Sequence, residues 1–573
     1  MPEIKLLYLI AIVPAIYLVH KIRIRLRLSK AKHPSLRGHS KMSRRVARLI
    51  PYFEYDEAQF FCSDGAPKEV SQQRRQAILK LKQDFSQRMQ KGIEFNHAVA
   101  DSISDVSFTN LYRVPFPFRK QLASLLTLPN AVEESSGVKV RDLDGNWSYD
   151  LTGSYGVNVF GYDFYKQCMQ DGWEMVKDMG PVLGAYHPII RENVERLKQI
   201  SGLDEVSFHM SGTEAVMQAV RLARYHSGKT RLVRLCGAYH GWWDGVQPGI
   251  GNQRVTHDVY TLKDMSEDTL RVLRTRNDIA CVLVNPLQAL HPNSDAASDA
   301  SLVNSDRNAR FDRKAYSQWL KQVREVCIQR SIVLIFDEVF TGFRLGYRGA
   351  QEYFGVQADL VTYGKTLGGG LPVGVVCGTH DLMKRYKQDQ PVNISFARGT
   401  FNSHPYVMAC MHQFLKRIEQ PEIQHNYLTA DELWNTRVDA LNQRLKEAEL
   451  PIKVVNLMSI WTILYTQPSR YNWMFQFYLR ANELSLSWVG SGRIIMSHNF
   501  SDEEYEQVMD RFVVAARQMK QDGWWWHSPR LSNRAIKRQM LREMLVAKLP
   551  CLSQLFKNPA GCSLQSQNEV SDL

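Results

Sequence analysis

Short apolar runs and helix-period stretches alternate along this chain. Ile332–Phe336 is a continuous apolar run with β-branched members, the pattern of a strand buried on both faces of a parallel sheet. Val206–Met210 predicts a shorter strand that runs through Ser211-Gly212-Thr213 into a helix with Val216, Val220 and Ala223 on one face. Ala280–Val284 and the apolar residues ahead of Lys365 read as further strands. Ser501-Asp-Glu-Glu504 is a capping box that opens a helix to about Gln518. Glu69–Lys91 predicts a polar, charged helix, and Arg113–Arg119, with its prolines, an extended segment.

Two stretches stand apart. Residues 6–19 form an uncharged apolar run of 14, about 21 Å as a helix and short of the roughly 30 Å hydrocarbon core of a bilayer. Residues 21–49 then carry 11 Lys or Arg and no acid. Of the formal net charge of +14, only +3 (+14 less these 11) belongs to the remainder. The basic excess therefore sits in an N-terminal arm, which argues against a nucleic-acid partner for the body. The apolar run and basic flank predict a membrane attachment that holds the enzyme on the cytoplasmic face, spanning or interfacial. A helix docked on the protein is the other reading. At the far end, Trp524-Trp525-Trp526 and the basic amphipathic stretch Arg530–Lys548 suit a membrane surface or packing on the body. The last 15 or so residues read as disordered.

Length and composition fit a globular chain of more than one domain: 573 residues, 44% hydrophobic and 23% charged. Nine dispersed cysteines without a CxxC pair predict neither a disulfide frame nor a metal site.

Candidate chemistry centres on VTYGKTLGGGLPVG, residues 361–374. Lys365 follows an apolar strand and precedes a glycine run; such an amine is desolvated, and small neighbours let a planar ring approach. Asp337 and Glu338 follow Phe336 at the carboxyl end of a strand, where open α/β sheets place ligands. An aspartate there holds a pyridine nitrogen protonated and makes the ring an electron sink. Small residues at a helix start, Gly212 and Thr213, offer free N–H groups and a positive dipole end to a phosphate. Each feature also has a plain structural reading: a solvated turn, a strand-end acid, an ordinary Ser/Thr cap.

Together these segments resemble the class III, pyridoxal-phosphate-dependent aminotransferases, of the branch containing glutamate-1-semialdehyde 2,1-aminomutase. The resemblance runs from about Gly137 to Gln518 through DLDGNWSYDLTGSYGVNVFGY (142–162), SGTEAVMQAVRLAR (211–224), GAYHGWWDG (237–245), the stretch 336–374 and GTFNSHP (399–405). It implies an α/β, fold type I (aspartate aminotransferase-like) architecture: a large domain with a mainly parallel central sheet, a smaller α+β domain and an N-terminal hydrophobic helix. The expected division is 1–30 hydrophobic helix, 31–135 extension, 136–400 cofactor-binding domain, 401–523 small domain and 524–573 tail. The resemblance also implies roles. Lys365 would form the Schiff base with pyridoxal 5'-phosphate and move the substrate proton. Asp337 would pair with the pyridine nitrogen, Val339 and Tyr239 would pack on the two ring faces, and His240 would belong to the same cofactor shell. Gly212 and Thr213 would hold the phosphate, with Thr400 reaching it from the neighbouring subunit of a homodimer. Tyr155 would line the substrate pocket or simply fill core. No metal is implied.

Departures from the family pattern bear on the substrate. Asn285-Pro286 stands where relatives usually carry Glu-Pro, residues 287–312 read as a longer polar surface loop, and Trp242-Trp243 are bulkier than expected. The expected reaction passes an amino group from a small-molecule donor to an aldehyde or ketone acceptor, a lipophilic one in specialised metabolism. An aminomutase acting within one substrate and an idle scaffold are the alternatives. Arg344 and Arg348 are candidates for a substrate carboxylate by position only.

Overall fold

The computed structural model describes residues 2–34, 38–106, 108, 114–129, 131–247, 251–254, 256–290, 311–486 and 493–549, with backbone alone for 2–13. Most of the expected polar loop at 287–312 and residues 550–573 of the expected tail lie outside the described residues. Contacts divide the chain into two compact units. The first contains Met1–Ala47, Cys168–Asp295 and Phe311–Gln424; the second contains Arg48–Gln167 and His425–Leu573.

The first unit is built on a seven-stranded sheet. Its strands are β1 (Glu205–His209), β2 (Arg231–Leu235), β3 (Val259–Leu262), β4 (Ile279–Val284), β5 (Val333–Asp337), β6 (Leu360–Gly364) and β7 (Gly374–Gly378), in the order β1-β7-β6-β5-β4-β2-β3. All pairings are parallel except those of β7, which runs antiparallel to both neighbours. Every residue of β4, β5 and β6 is buried, so their continuous apolar runs are explained by cover on both faces. Helix α1 spans Pro2–Ala31, α2 Gly212–Ser227, α3 Glu267–Thr275, α4 Arg313–Arg330 and α5 Pro405–Ile418. Ala215, Val216, Ala219, Val220 and Ala223 of α2 share one core cluster with Leu232, Leu283, Ile335, Leu360 and Val376 of the sheet. Small side chains at this period bring α2 close onto the strands. Because β1, β2, β4, β5 and β6 point the same way, the segments after them emerge at one edge. That edge carries Ser211–Thr213, the Cys236–Val246 loop, Asn285, Asp337 and Lys365.

The expected membrane location is corrected. No helix among the described residues is long and apolar enough to cross a membrane. The physical reason is visible in α1, which carries its apolar run straight into Lys21, Arg23, Arg25, Arg27 and Lys30. The end of α1 and the segment after it are instead tied to the first unit. Ala31 is fully buried and its carbonyl accepts from Lys263 N at 2.8 Å, while Arg44 donates to the carbonyl of Asn252 at 3.0 Å.

The second unit is α+β. It holds a sheet of Val132–Ser136, Lys139–Asp142, Trp147–Asp150 and Leu484–Ser485, and another of Ile452–Leu457, Ile460–Tyr465 and Arg493–Ile495. The polar helix expected at Glu69–Lys91 runs over Lys68–Arg88, and the capping box opens a helix at Asp502–Gln521. The proline segment is not extended throughout: Phe116–Phe118 form a 3₁₀ turn leading into the helix Arg119–Leu125. Trp524 and Trp525 are buried, which favours packing over a membrane surface. Cys62 is disulfide-bonded, against the expectation of no disulfide, whereas Cys168, Cys236, Cys281, Cys327, Cys377 and Cys410 are free and buried.

A buried ion pair anchors this unit. Arg74 Nη2 lies 2.6 Å from Asp64 Oδ2, both side chains fully buried, and Arg74 also donates to the carbonyls of Phe61 and Gly523. Removing the acid strands the guanidinium. Asp64→Ala is therefore expected to destabilise the protein by about 3–5 kcal/mol, read as a lower denaturant midpoint; an unchanged midpoint would contradict the ion-pair account.

Candidate active site

The carboxyl edge of the sheet gathers polar chemistry in an apolar frame. Asp337 ends β5 and is 3% exposed. Its Oδ2 accepts from His240 Nδ1 at 2.8 Å. Its Oδ1 accepts from Thr362 Oγ1 and from Val339 N, each at 3.2 Å. A carboxylate has only acceptors to offer, so the His240 nitrogen facing it carries the proton. Burial pushes the His240 pKa down, with the Asp337 contact opposing it, and the ring stays neutral. Its other nitrogen, Nε2, is buried with no hydrogen-bond partner among the described residues.

Lys365 sits at the first position after β6. Its φ of 49° lies in the left-handed region, a strained setting for a lysine and one that turns the side chain out of the strand. Burial pushes the amine down to about 8, Asp337 pulls it up, and Arg344 adds to the lowering. The ammonium nitrogen stands 5.7 Å from the centroid of Phe340. Arg344 is fully buried within electrostatic reach of Lys365, so it is a buried cation of this site. Glu338, the next residue along from Asp337, faces the other way. It accepts from Ala350 N at 2.6 Å and Gln351 N at 3.2 Å, and burial lifts its carboxyl to about 8.

Glycines set how close the elements come. A side chain at Gly212, the first residue of α2, would meet Val339 Cγ1 at 2.5 Å. Gly241 has φ +85°, and a side chain there would collide with Thr213 Oγ1. These approaches bring the start of α2, Val339 and the Tyr239-His240-Gly241 turn into one group with Asp337. Ser211 caps α2 by accepting from Glu214 N at 3.2 Å. The first N–H groups of a helix have no intrahelical partner, so those of Gly212 and Thr213 face outward.

The structure thus brings together Lys365, Asp337, His240, Val339, Gly212, Thr213 and, through its electrostatic effect from Asp337, Tyr239, which is 58% exposed. Two expected residues stand outside this group. Thr400 is exposed and takes part in no hydrogen bond among the described residues. Tyr155 belongs to the second unit, where it and Ser154 both hold positive φ, 57° and 44°. Arg348 donates to the carbonyl of Ile200 at 3.3 Å, a packing contact. Thr362 and Arg344 join Asp337 and Lys365 without a sequence expectation; a lone threonine inside the buried strand β6 is the signal that marks Thr362. A separate cleft of about 470 Å³ runs along α2, lined by His209, Glu214, Gln218, Arg221, Trp243 and Arg398 among others. Neither Lys365 nor Asp337 lines it.

A buried primary amine, a buried acid with a histidine behind it and a helix start beside Val339 are groups that suit a phosphorylated pyridine aldehyde. Sequence comparison gives the family: the description Aminotransferase class-III matches residues 123–515. The chain belongs to the class III aminotransferases and is a pyridoxal-phosphate-dependent enzyme. Among its relatives is glutamate-1-semialdehyde 2,1-aminomutase of Methanocaldococcus jannaschii, 28% identical over 416 residues, 69% of this chain and 86% of the relative. The same enzyme of Alkaliphilus oremlandii is 34% identical over 301 residues, 52% of this chain and 68% of the relative. A solved transaminase with PLP bound superposes with a TM-score of 0.60 at 25% identity, covering 75% of this chain and 99% of that one. A glutamate-1-semialdehyde aminomutase from Pseudomonas aeruginosa PAO1 shares the fold, with a TM-score of 0.63 at 17% identity over 78% and 99% of the two chains.

The lysine supplies a pH test. In protein stripped of cofactor, the rate of pyridoxal phosphate attachment should rise with pH, reach half its maximum near pH 8 and level off, because only the neutral amine attacks. Stopped-flow absorbance across pH measures it; a rate still climbing steeply through pH 10 would show an amine at its ordinary value.

Proposed function

We propose that the enzyme transfers an amino group from a small-molecule donor to an aldehyde or ketone acceptor. The observation that carries this reading is the pairing of a buried Lys365, its amine lowered to about 8, with the Asp337–His240 couple at one sheet edge. When bound, pyridoxal phosphate supplies an electron sink for the carbon that loses its proton. Lys365 would be the attachment point and the base that takes the substrate's α-proton and returns it. Its lowered pKa keeps the amine ready for both duties near neutral pH. Asp337, held on both oxygens, would keep the pyridine nitrogen protonated, and His240 fixes that carboxylate from behind. Val339 and Tyr239 would pack against the ring, and the N–H groups of Gly212 and Thr213 would hold the phosphate. Thr400 is assigned to the phosphate of a second copy, which makes the working enzyme a homodimer. Tyr155 keeps its assignment to the substrate on the family resemblance alone.

The acceptor we favour is apolar. Trp242, 76% exposed, follows Gly241 directly, and it offers a hydrophobic surface rather than a charged one beside the Tyr239 turn. The second reading, an aminomutase, is favoured by the names of the relatives. The two are separated by one requirement: a transaminase needs an amino donor distinct from its acceptor, and an aminomutase does not.

Purified enzyme should show the long-wavelength absorbance of lysine-bound cofactor, lost in Lys365→Ala. That band should bleach with a particular amino donor and return with an aldehyde or ketone. Bleaching with no donor and conversion of a single amino aldehyde would favour the aminomutase. No band, even after added cofactor, would sink both and leave a scaffold.

A further inference from the structure

The segment Cys236–Val246 carries Tyr239 and His240 yet contains no helix or strand. Its backbone carbonyls are held by side chains from β2 and from the segment that follows β4. Gln288 Nε2 donates to Cys236 O at 2.7 Å, Arg234 Nη2 to Ala238 O at 2.7 Å, and Asn285 Nδ2 to Tyr239 O at 2.9 Å. Arg234 Nη1 donates to Val246 O, so one guanidinium grips both ends of the turn. Arg234, Asn285 and Gln288 are all buried.

Arg234 is costly where it stands. It forms no ion pair among the described residues, and its Nε has no hydrogen-bond partner there. A buried cation facing only carbonyl dipoles is tolerated when it fixes something that packing alone does not. Burial pushes its pKa down to about 10, so it remains charged at neutral pH. Its charge also reaches His240 and helps keep that ring neutral. Asn285 is the departure from the family's Glu-Pro, and its geometry gives the departure a reason. Its Oδ1 accepts from Leu287 N at 3.1 Å, which leaves the amide nitrogen facing the Tyr239 carbonyl. An ionised carboxylate at this place has no proton to give that carbonyl.

We propose that Arg234, Asn285 and Gln288 are positioning residues, a buried set of donors that holds the Cys236–Val246 loop by its carbonyls and so sets Tyr239 and His240 beside Asp337. The inference rests on the reading of Tyr239 and His240 as cofactor-facing residues.

The test uses full-length wild type, Asn285→Asp, Arg234→Met and Arg234→Lys. Hydrogen exchange is followed without cofactor, and the pyridoxal phosphate Kd by absorbance titration. Asn285→Asp changes one atom pair and turns a donor into an acceptor, so it carries the test should Arg234→Met fail to fold. Expected is exchange faster by about tenfold or more across 236–246, with β5 and β6 unchanged, and a Kd weakened about tenfold, the scale of one lost buried hydrogen bond. Arg234→Lys, which keeps the charge and part of the donor set, should fall between wild type and Arg234→Met. Unchanged loop exchange overturns the clamp, and faster exchange with an unchanged Kd overturns its positioning role. Wild type that binds no pyridoxal phosphate at all would instead defeat the cofactor reading, leaving the exchange result to judge the clamp.

Discussion

The Asp337 carboxylate is the group around which the site is arranged. It is buried at the end of β5, where an ionised acid is tolerated only if its oxygens are met by donors. His240, Thr362 and the Val339 amide meet them. Each donor comes from a different segment of the carboxyl edge: the loop after β2, strand β6, and the turn after β5 itself. The requirement to satisfy one charge therefore fixes the relative placement of three segments. Lys365 follows one of them by three residues from Thr362, so the same constraint places the amine.

The costs of this arrangement are concentrated at the same edge. Lys365 has left-handed backbone, and both it and Glu338 have pKa values shifted by burial to about 8. Arg234 and Arg344 are cations buried beside the site. Strain and desolvation of this kind persist when the surrounding sheet over-determines the geometry, as the fully buried β4, β5 and β6 do here. The rigid sheet supplies stability, and the loops at its edge spend part of it on chemistry.

Much of this was legible in the sequence, for reasons that differ by residue. Ile332–Phe336 reads as a buried parallel strand because two-sided burial removes polar alternation, and Asp337 then falls at its end. Ser211-Gly212-Thr213 reads as a helix start because capping chemistry is local. The Lys365 region, which alone also reads as a solvated turn, is legible because Asp337 and the Ser211–Thr213 turn stand beside it in the same chain. What was not legible depends on contacts distant in sequence. The His240–Asp337 bond spans 97 residues, and the grip of Arg234 and Asn285 on the Tyr239 turn exists only once strands β2 and β4 lie side by side. The N-terminal arm differs from its expectation for a related reason: an apolar run with a basic flank is also the pattern of a membrane attachment, whereas here the end of α1 docks beside Lys263. For Trp524 and Trp525 the sequence leaves a membrane surface and packing on the body both open, and burial selects packing.

In the proposed function, a held, charged Asp337 drives the proton chemistry at Lys365. The most direct measurement is the single-turnover rate with an amino donor in Asp337→Asn, an exchange that keeps shape and removes charge. Expected is that the cofactor still attaches to Lys365 while the rate falls by about 10²-fold or more, the scale of a removed charge-stabilising group. A rate within a few-fold of wild type would contradict it.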